Sequence, residues 1–247
     1  MRKKHAVWIA LCLMAAAVGC GRSIENAVVE GKASTVSKLL AAGTSPDTAD
    51  ATGETLLFKA ARNGRADVVK VLLEHGAKID TPDASGVTPL HMAVQSGNAE
   101  TVELLLTRGA NVSAKNSSGD MPIHYAAQAG AADAIQLLVG HRANLDEHGC
   151  QGATPLHYAA AEGHLKAIEA LVRNGADINS KDIFDRTPLH QAVRFNNFEG
   201  TKLLLKLGAR RDAPDYKGRT PLDMAKVGGL SAFVDILSAT DGKTKQQ

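Results

Sequence analysis

Six tetrapeptides recur along this chain at one interval: TLLF at Thr55, TPLH at Thr88, MPIH at Met121, TPLH at Thr154, TPLH at Thr187 and TPLD at Thr220. The interval is 33 residues each time, without insertion. A period held that long means that one small unit is stacked on copies of itself, because a single unit of this size cannot bury its own apolar face. Other positions keep the same register. An alanine stands two residues after each tetrapeptide's last position, at Ala60, Ala93, Ala126, Ala159, Ala192 and Ala225. Leucine pairs or their equivalents follow at Leu72-Leu73, Leu105-Leu106, Leu138-Val139, Leu171-Val172 and Leu204-Leu205. SIENAVVEG and KLLAAG carry the register back to about Arg22 with the TPLH-type segment missing.

Within a unit the residues predict a loop and two helices. Threonine is a good N-cap, and proline fits the first helical position because its missing N–H has no partner there in any case. The fourth residue of the segment can bond back to the cap, as in a capping box. That assigns His91, His124, His157 and His190 a structural part. Glycine at the end of the first helix suits a left-handed C-cap. The second helix places valine and the leucines at i, i+3 and i+4, on one apolar face. A polar turn such as NVSAKNSSG then leads into the next unit.

This pattern resembles the ankyrin repeat, with its 33-residue period and T-P-L-H-x-A start. The resemblance covers about Arg22 to Ser238 and implies an all-α solenoid of about seven stacked helix-turn-helix units with β-hairpin-like finger loops. The domain is expected at 20–239, with units near 22–54, 55–87, 88–120, 121–153, 154–186, 187–219 and 220–239, and a disordered tail at 240–247. Fingers and first helices would form a concave, protein-binding groove.

Composition narrows the remaining classes. The net charge is +2, but three of the 28 basic residues are Arg2, Lys3 and Lys4, leaving 25 basic against 26 acidic beyond the N-terminal segment. That is no footprint for nucleic acid. No zinc-binding, paired-cysteine or phosphate-loop motif occurs, so no metal, cofactor or catalytic residue is expected and the chain is not expected to be an enzyme. Cys150 is the one cysteine outside the N-terminal segment, and it falls at a finger tip.

MRKKH followed by the apolar run Ala6–Val18 has the proportions of a secretory signal and is too short to span a bilayer. AVGC at 17–20 resembles the end of a bacterial lipoprotein signal, which implies that residues 1–19 are removed and Cys20 is lipidated. Ala17 departs from the larger aliphatic residue usual there. Ordinary cleavage after Gly19 and an uncleaved anchor are the alternatives. The expected location is the periplasmic side of a bacterial membrane, with the outer membrane favoured because Gly21 follows the cysteine; the alternative is a soluble periplasmic or secreted protein.

What the repeat leaves free is its variable surface. The family's contact positions hold small or polar residues in the middle units: Ala84, Ser85 and Val87, then Ser117, Ser118 and Asp120, then Cys150, Gln151 and Ala153. They change character at Ile183, Phe184, Arg186, Arg194 and Phe195, and again at Tyr216, Lys217 and Arg219. Aromatic and cationic side chains are the composition of interface hot spots. Those eight residues are the expected contacts for a partner protein with an acidic or apolar patch, bound by a monomer as scaffold or folding factor. An inhibitor or immunity-type protein that occludes a toxin or enzyme is the alternative. Burial of Ile183, Phe184 and Phe195 within the fold is the competing reading. Asp185 and Asn196 stand where other units have glycine and tolerate left-handed backbone. Arg142 stands where others have Gly76, Gly109, Gly175 and Gly208, and strain is expected there.

Overall fold

The computed structural model describes residues 24–239; the signal segment, Cys20 and the tail from residue 240 lie outside them. The chain divides after Asn111 into two compact units. In the first, a short helix at 24–29 precedes helices Ala33–Ala41, Leu56–Arg62, Ala66–Glu74, Pro89–Ser96 and Ala99–Thr107. In the second, the pairs are Pro122–Gln128 with Ala132–Gly140, Pro155–Glu162 with Leu165–Arg173, Pro188–Arg194 with Phe198–Lys206, and Pro221–Val227 with Ser231–Ser238. The fold is all-helical, as the period requires. No described helix is long and apolar enough to cross a membrane.

The recurring residues do the work assigned to them. All six register alanines, Ala60 through Ala225, have no exposed surface, so neighbouring first helices meet at the smallest side chain available. Leu72, Leu105, Leu138, Leu171 and Leu204 are likewise fully buried, each contributing about 2 kcal/mol. The histidine caps form as expected. Nδ1 of His91, His157 and His190 accepts the backbone N–H of Thr88, Thr154 and Thr187 at 3.1, 3.1 and 3.0 Å. His124 does the same with Met121 at 3.0 Å, where no hydroxyl assists.

The other ring nitrogen ties each cap onward. Nε2 of His124, His157 and His190 faces the carbonyls of Glu147, Arg186 and Arg219 at 3.0, 2.8 and 3.2 Å. With Nδ1 accepting, Nε2 must carry the proton and donate, which fixes the neutral tautomer. Protonation would set two N–H groups against each other at Nδ1. Burial, the largest cause, holds all three below the ordinary histidine value, His157 at about 4.

The fingers are tighter than hairpins. Each closes on itself, as where Asp182 N–H donates to the Arg186 carbonyl at 3.0 Å. The last three fingers are linked by one backbone bond each to the next: Ile183 N–H to Gln151 O at 3.1 Å, and Tyr216 N–H to Phe184 O at 3.0 Å. Among the described residues the only β pairing is an isolated bridge between Ala49 and Thr55.

The backbone keeps its shape where glycine is replaced. Asp185 and Asn196 have φ of 55° and 59°, and Arg142 has 65°. Arginine has no polar group near its Cβ to compensate, so the strain expected at Arg142 is present.

Candidate functional site

Five of the finger's residues determine how its surface is built. In the fingers at 182–186 and 215–219 an aspartate opens the turn and an arginine closes it. Asp182 Oδ1 accepts the N–H groups of Phe184 and Arg186 at 2.8 and 2.9 Å, and its Oδ2 takes the Arg186 guanidinium at 2.7 Å. Asp215 repeats the arrangement with Lys217, Arg219 and the Arg219 guanidinium, at 2.9, 2.9 and 2.7 Å. Burial pushes the Asp215 carboxyl up, but Arg219 and the backbone donors outweigh it and hold the group low.

Finger 149–153 reads GCQGA and has neither end of this pair. It is tied to the preceding finger through Asp120 instead, whose Oδ1 accepts Cys150 N–H at 2.8 Å, the group that Ile183 and Tyr216 give to a backbone carbonyl, and the Tyr158 hydroxyl at 2.7 Å. A Cβ on residue 149 would lie 2.1 Å from that oxygen, so a side chain there would displace the Asp120 carboxylate. The turn tightens into a 3-10 turn at Cys150–Gly152, with Gln151 at φ 55°. Tyr158 is held at its hydroxyl and packs edge-on to His124, ring centroids 5.6 Å apart. Burial and then the bond to Asp120 raise its pKa well above the usual phenol range.

A hollow of about 250 Å³ lies between this finger and the next, where Ala153 stands at the position of Arg186 and Arg219. Its walls include Ala153, Tyr158, Ala161 and Phe195, with Gln191 and Arg194 from the neighbouring first helix.

The eight expected contact residues separate in three ways. Ile183, Phe195 and Tyr216 are exposed, at 66, 54 and 55%. Arg194 and Lys217 are exposed too, their charges 5.3 Å from the ring centroids of Phe195 and Tyr216, and neither forms an ion pair among the described residues. Phe184 is half-buried, its ring 5.7 Å from Tyr216, which satisfies the burial reading only in part. Arg186 is a correction: at 9% exposure its guanidinium is committed to Asp182 and lies 4.4 Å over the Phe184 ring, so it is scaffold. Arg219 is intermediate, 40% exposed in its side chain and held by Asp215. Gln191 and Tyr158 escaped the sequence reading because the repeat places them among the packing residues. No group of three or more histidine, cysteine or acidic side chains among the described residues could hold a metal.

This stack of capped helix pairs with one variable face is that of a repeat-built binding scaffold. Family descriptions of ankyrin repeats match residues 24–116, 109–182 and 171–225. The chain belongs to the ankyrin-repeat family, whose domains generally serve as protein–protein interaction modules. Among solved structures it is similar to the human ASB11 ankyrin repeat domain, at 27% identity and a TM-score of 0.78, covering 89% of this chain and 99% of that one. No curated protein sequence matches.

Proposed function

We propose that this chain is a non-enzymatic binding protein that docks a partner protein on the finger and first-helix surface of its C-terminal unit. The observation that carries this is the cluster of exposed Ile183, Phe195 and Tyr216 beside Arg194 and Lys217, cations without an ion pair among the described residues. Large apolar side chains with charges stacked on them are expensive to keep in water and supply both area and orientation when covered. Arg186 and Arg219 act behind this face by fixing the fingers that present it. The N-terminal segment supports export and lipid attachment at Cys20, with the stack held close to the outer membrane as a scaffold or folding factor for an envelope protein.

Two experiments test the parts separately. Replacing Ile183 and Phe195 by glutamate is expected to abolish capture of the native partner while leaving the thermal midpoint unchanged; capture at the normal level removes this surface from the proposal. Cys20→Ala is expected to release the protein from the membrane fraction, and unchanged fractionation sinks the lipid anchor.

A further inference from the structure

Gln191 ties a finger to the helix behind it. Its Nε2 donates to Asp182 Oδ2 at 3.2 Å, while Oδ1 of the same carboxylate holds the turn through the N–H groups of Phe184 and Arg186. The residue after each TPLH-type segment is Lys59, Met92, Tyr125, Tyr158, Gln191 or Met224, and the finger before it opens at Asp50, Asp83, Asn116, Gly149, Asp182 or Asp215. Two more of these pairs are joined. Lys59 Nζ lies 2.8 Å from Asp50 Oδ2, whose Oδ1 accepts the N–H groups of Thr52 and Glu54. The Tyr125 hydroxyl accepts Asn116 Nδ2 at 3.0 Å, and Asn116 Oδ1 accepts the N–H groups of Ser118 and Asp120. In each case one atom of the opening side chain shapes the turn and the other is tied to the first helix. Behind Gly149, the Tyr158 hydroxyl reaches Asp120 instead.

Met92 and Met224 break the series. Asp83 and Asp215 hold their turns in the same way, through Ser85 and Val87 and through Lys217 and Arg219. Methionine has no donor to give either carboxylate. The two fingers of the proposed docking surface therefore differ in one bond. Finger 182–186 is closed by Arg186 and tied by Gln191, which is buried in a packed helix and cannot follow a moving loop. Finger 215–219 is closed by Arg219 without a tie from its own helix. The closing arginines differ in the same sense, with side chains 10% exposed at Arg186 and 40% at Arg219. A hydrogen bond to a carboxylate is among the stronger ones, so its presence or absence decides how far a short loop moves.

Resting on the proposed docking surface, we infer that Gln191 is a positioning residue that fixes one contact finger, and that Met224 leaves the next one untied. Ile183 and Phe184 stand on a finger set in advance against its helix. Tyr216 and Lys217 stand on one that adjusts to what is bound. A partner thus meets a preformed apolar point at little ordering cost, and the ring and charge beside it settle afterwards. The residue that decides this lies in the helix and touches no partner.

Hydrogen exchange at single amides of the full chain, followed by NMR at constant pH, tests this without a partner. Gln191→Met keeps the packing volume and removes the donor. Exchange at Phe184 and Arg186 is expected to quicken about five- to tenfold, the worth of one hydrogen bond. Gln191→Lys, which copies the pairing of Lys59 with Asp50, should restore the slower rate. Met224→Gln should slow Lys217 and Arg219 by a similar factor, while Ser118 and Asp120 keep their rates in every variant. Unchanged exchange at Phe184 and Arg186 in Gln191→Met, or at Lys217 and Arg219 in Met224→Gln, overturns the proposal. Acceleration that spreads equally to the buried Ile135 and Ile168 overturns it too, because lost global stability would then be the cause. The docking reading fails separately, if the variant at Ile183 and Phe195 keeps the native partner whatever the exchange rates. Where that variant loses the partner, Gln191→Met should weaken capture about fivefold, and capture at full strength removes the positioning role.

Discussion

In finger 182–186 a carboxylate of the finger itself holds the turn, whereas finger 149–153 has none and is anchored through Cys150 N–H to Asp120 one repeat earlier. The self-contained finger closes with an arginine folded onto Asp182 and presents apolar residues outward. The dependent finger ends in Ala153 and leaves a cavity. One repeat backbone therefore yields a raised contact and a recess side by side, and the difference lies in whether two positions carry Asp and Arg or Gly and Ala.

The largest test of that contrast is Asp182→Ala. It strips a side chain of 1% exposure from a buried ion pair and removes both turn acceptors, and should cost about 3–5 kcal/mol in a urea unfolding experiment. A loss below 1 kcal/mol would mean that the finger does not depend on its own aspartate. Acid comes next, because His157 caps the helix after the dependent finger and donates to the self-contained one. Its native pKa of about 4 lies below the ordinary 6.5. The unfolded chain therefore takes up the proton first as pH falls. Stability from this group is fully present above about pH 7 and is lost between 6.5 and 4, the accumulated loss reaching about 3 kcal/mol. His124 and His190 shift in the same direction, and the lowered Asp215 adds a further loss in the more acidic range. Stability that does not fall over that interval would contradict the tautomer assigned to these rings.

Smaller effects sharpen the picture. Tyr158→Phe should cost about 1 kcal/mol, and in a double-mutant cycle with Asp120→Ala most of that cost should disappear; additive losses would show that the two do not act together. Arg142→Gly removes a side chain from a left-handed position and should raise stability by about 0.5 kcal/mol, relief of strain outweighing glycine's greater chain entropy. A lowered thermal midpoint would show that this backbone is not strained.

The repeat itself was plain in the sequence because stacking imposes the same packing on every unit, and the buried alanines and capping histidines kept their residue types accordingly. The surface was less legible. Register alone placed Ile183, Phe195 and Tyr216 outward, and all three are exposed. It also placed Arg186 outward, where an aspartate four residues earlier draws it in. The pair Asp182–Arg186, and its repetition at Asp215–Arg219, is visible as D-x-x-x-R once the finger's turn is known. Asp120 supporting Cys150 and Tyr158 is a different matter, joining residues 30 and 38 positions apart through atoms that no period specifies.

Because any side chain at 149 would push the Asp120 carboxylate from its place, these two positions do not mutate freely of each other. Restoring the ordinary aspartate at 149 alone forces two carboxylates together, and losing Asp120 alone takes the acceptor from Cys150 N–H and the Tyr158 hydroxyl. The repeats that carry them are thus not interchangeable modules. A unit cut out here and spliced elsewhere, by recombination or by an engineer assembling repeats, would carry half of an arrangement whose other half stays behind.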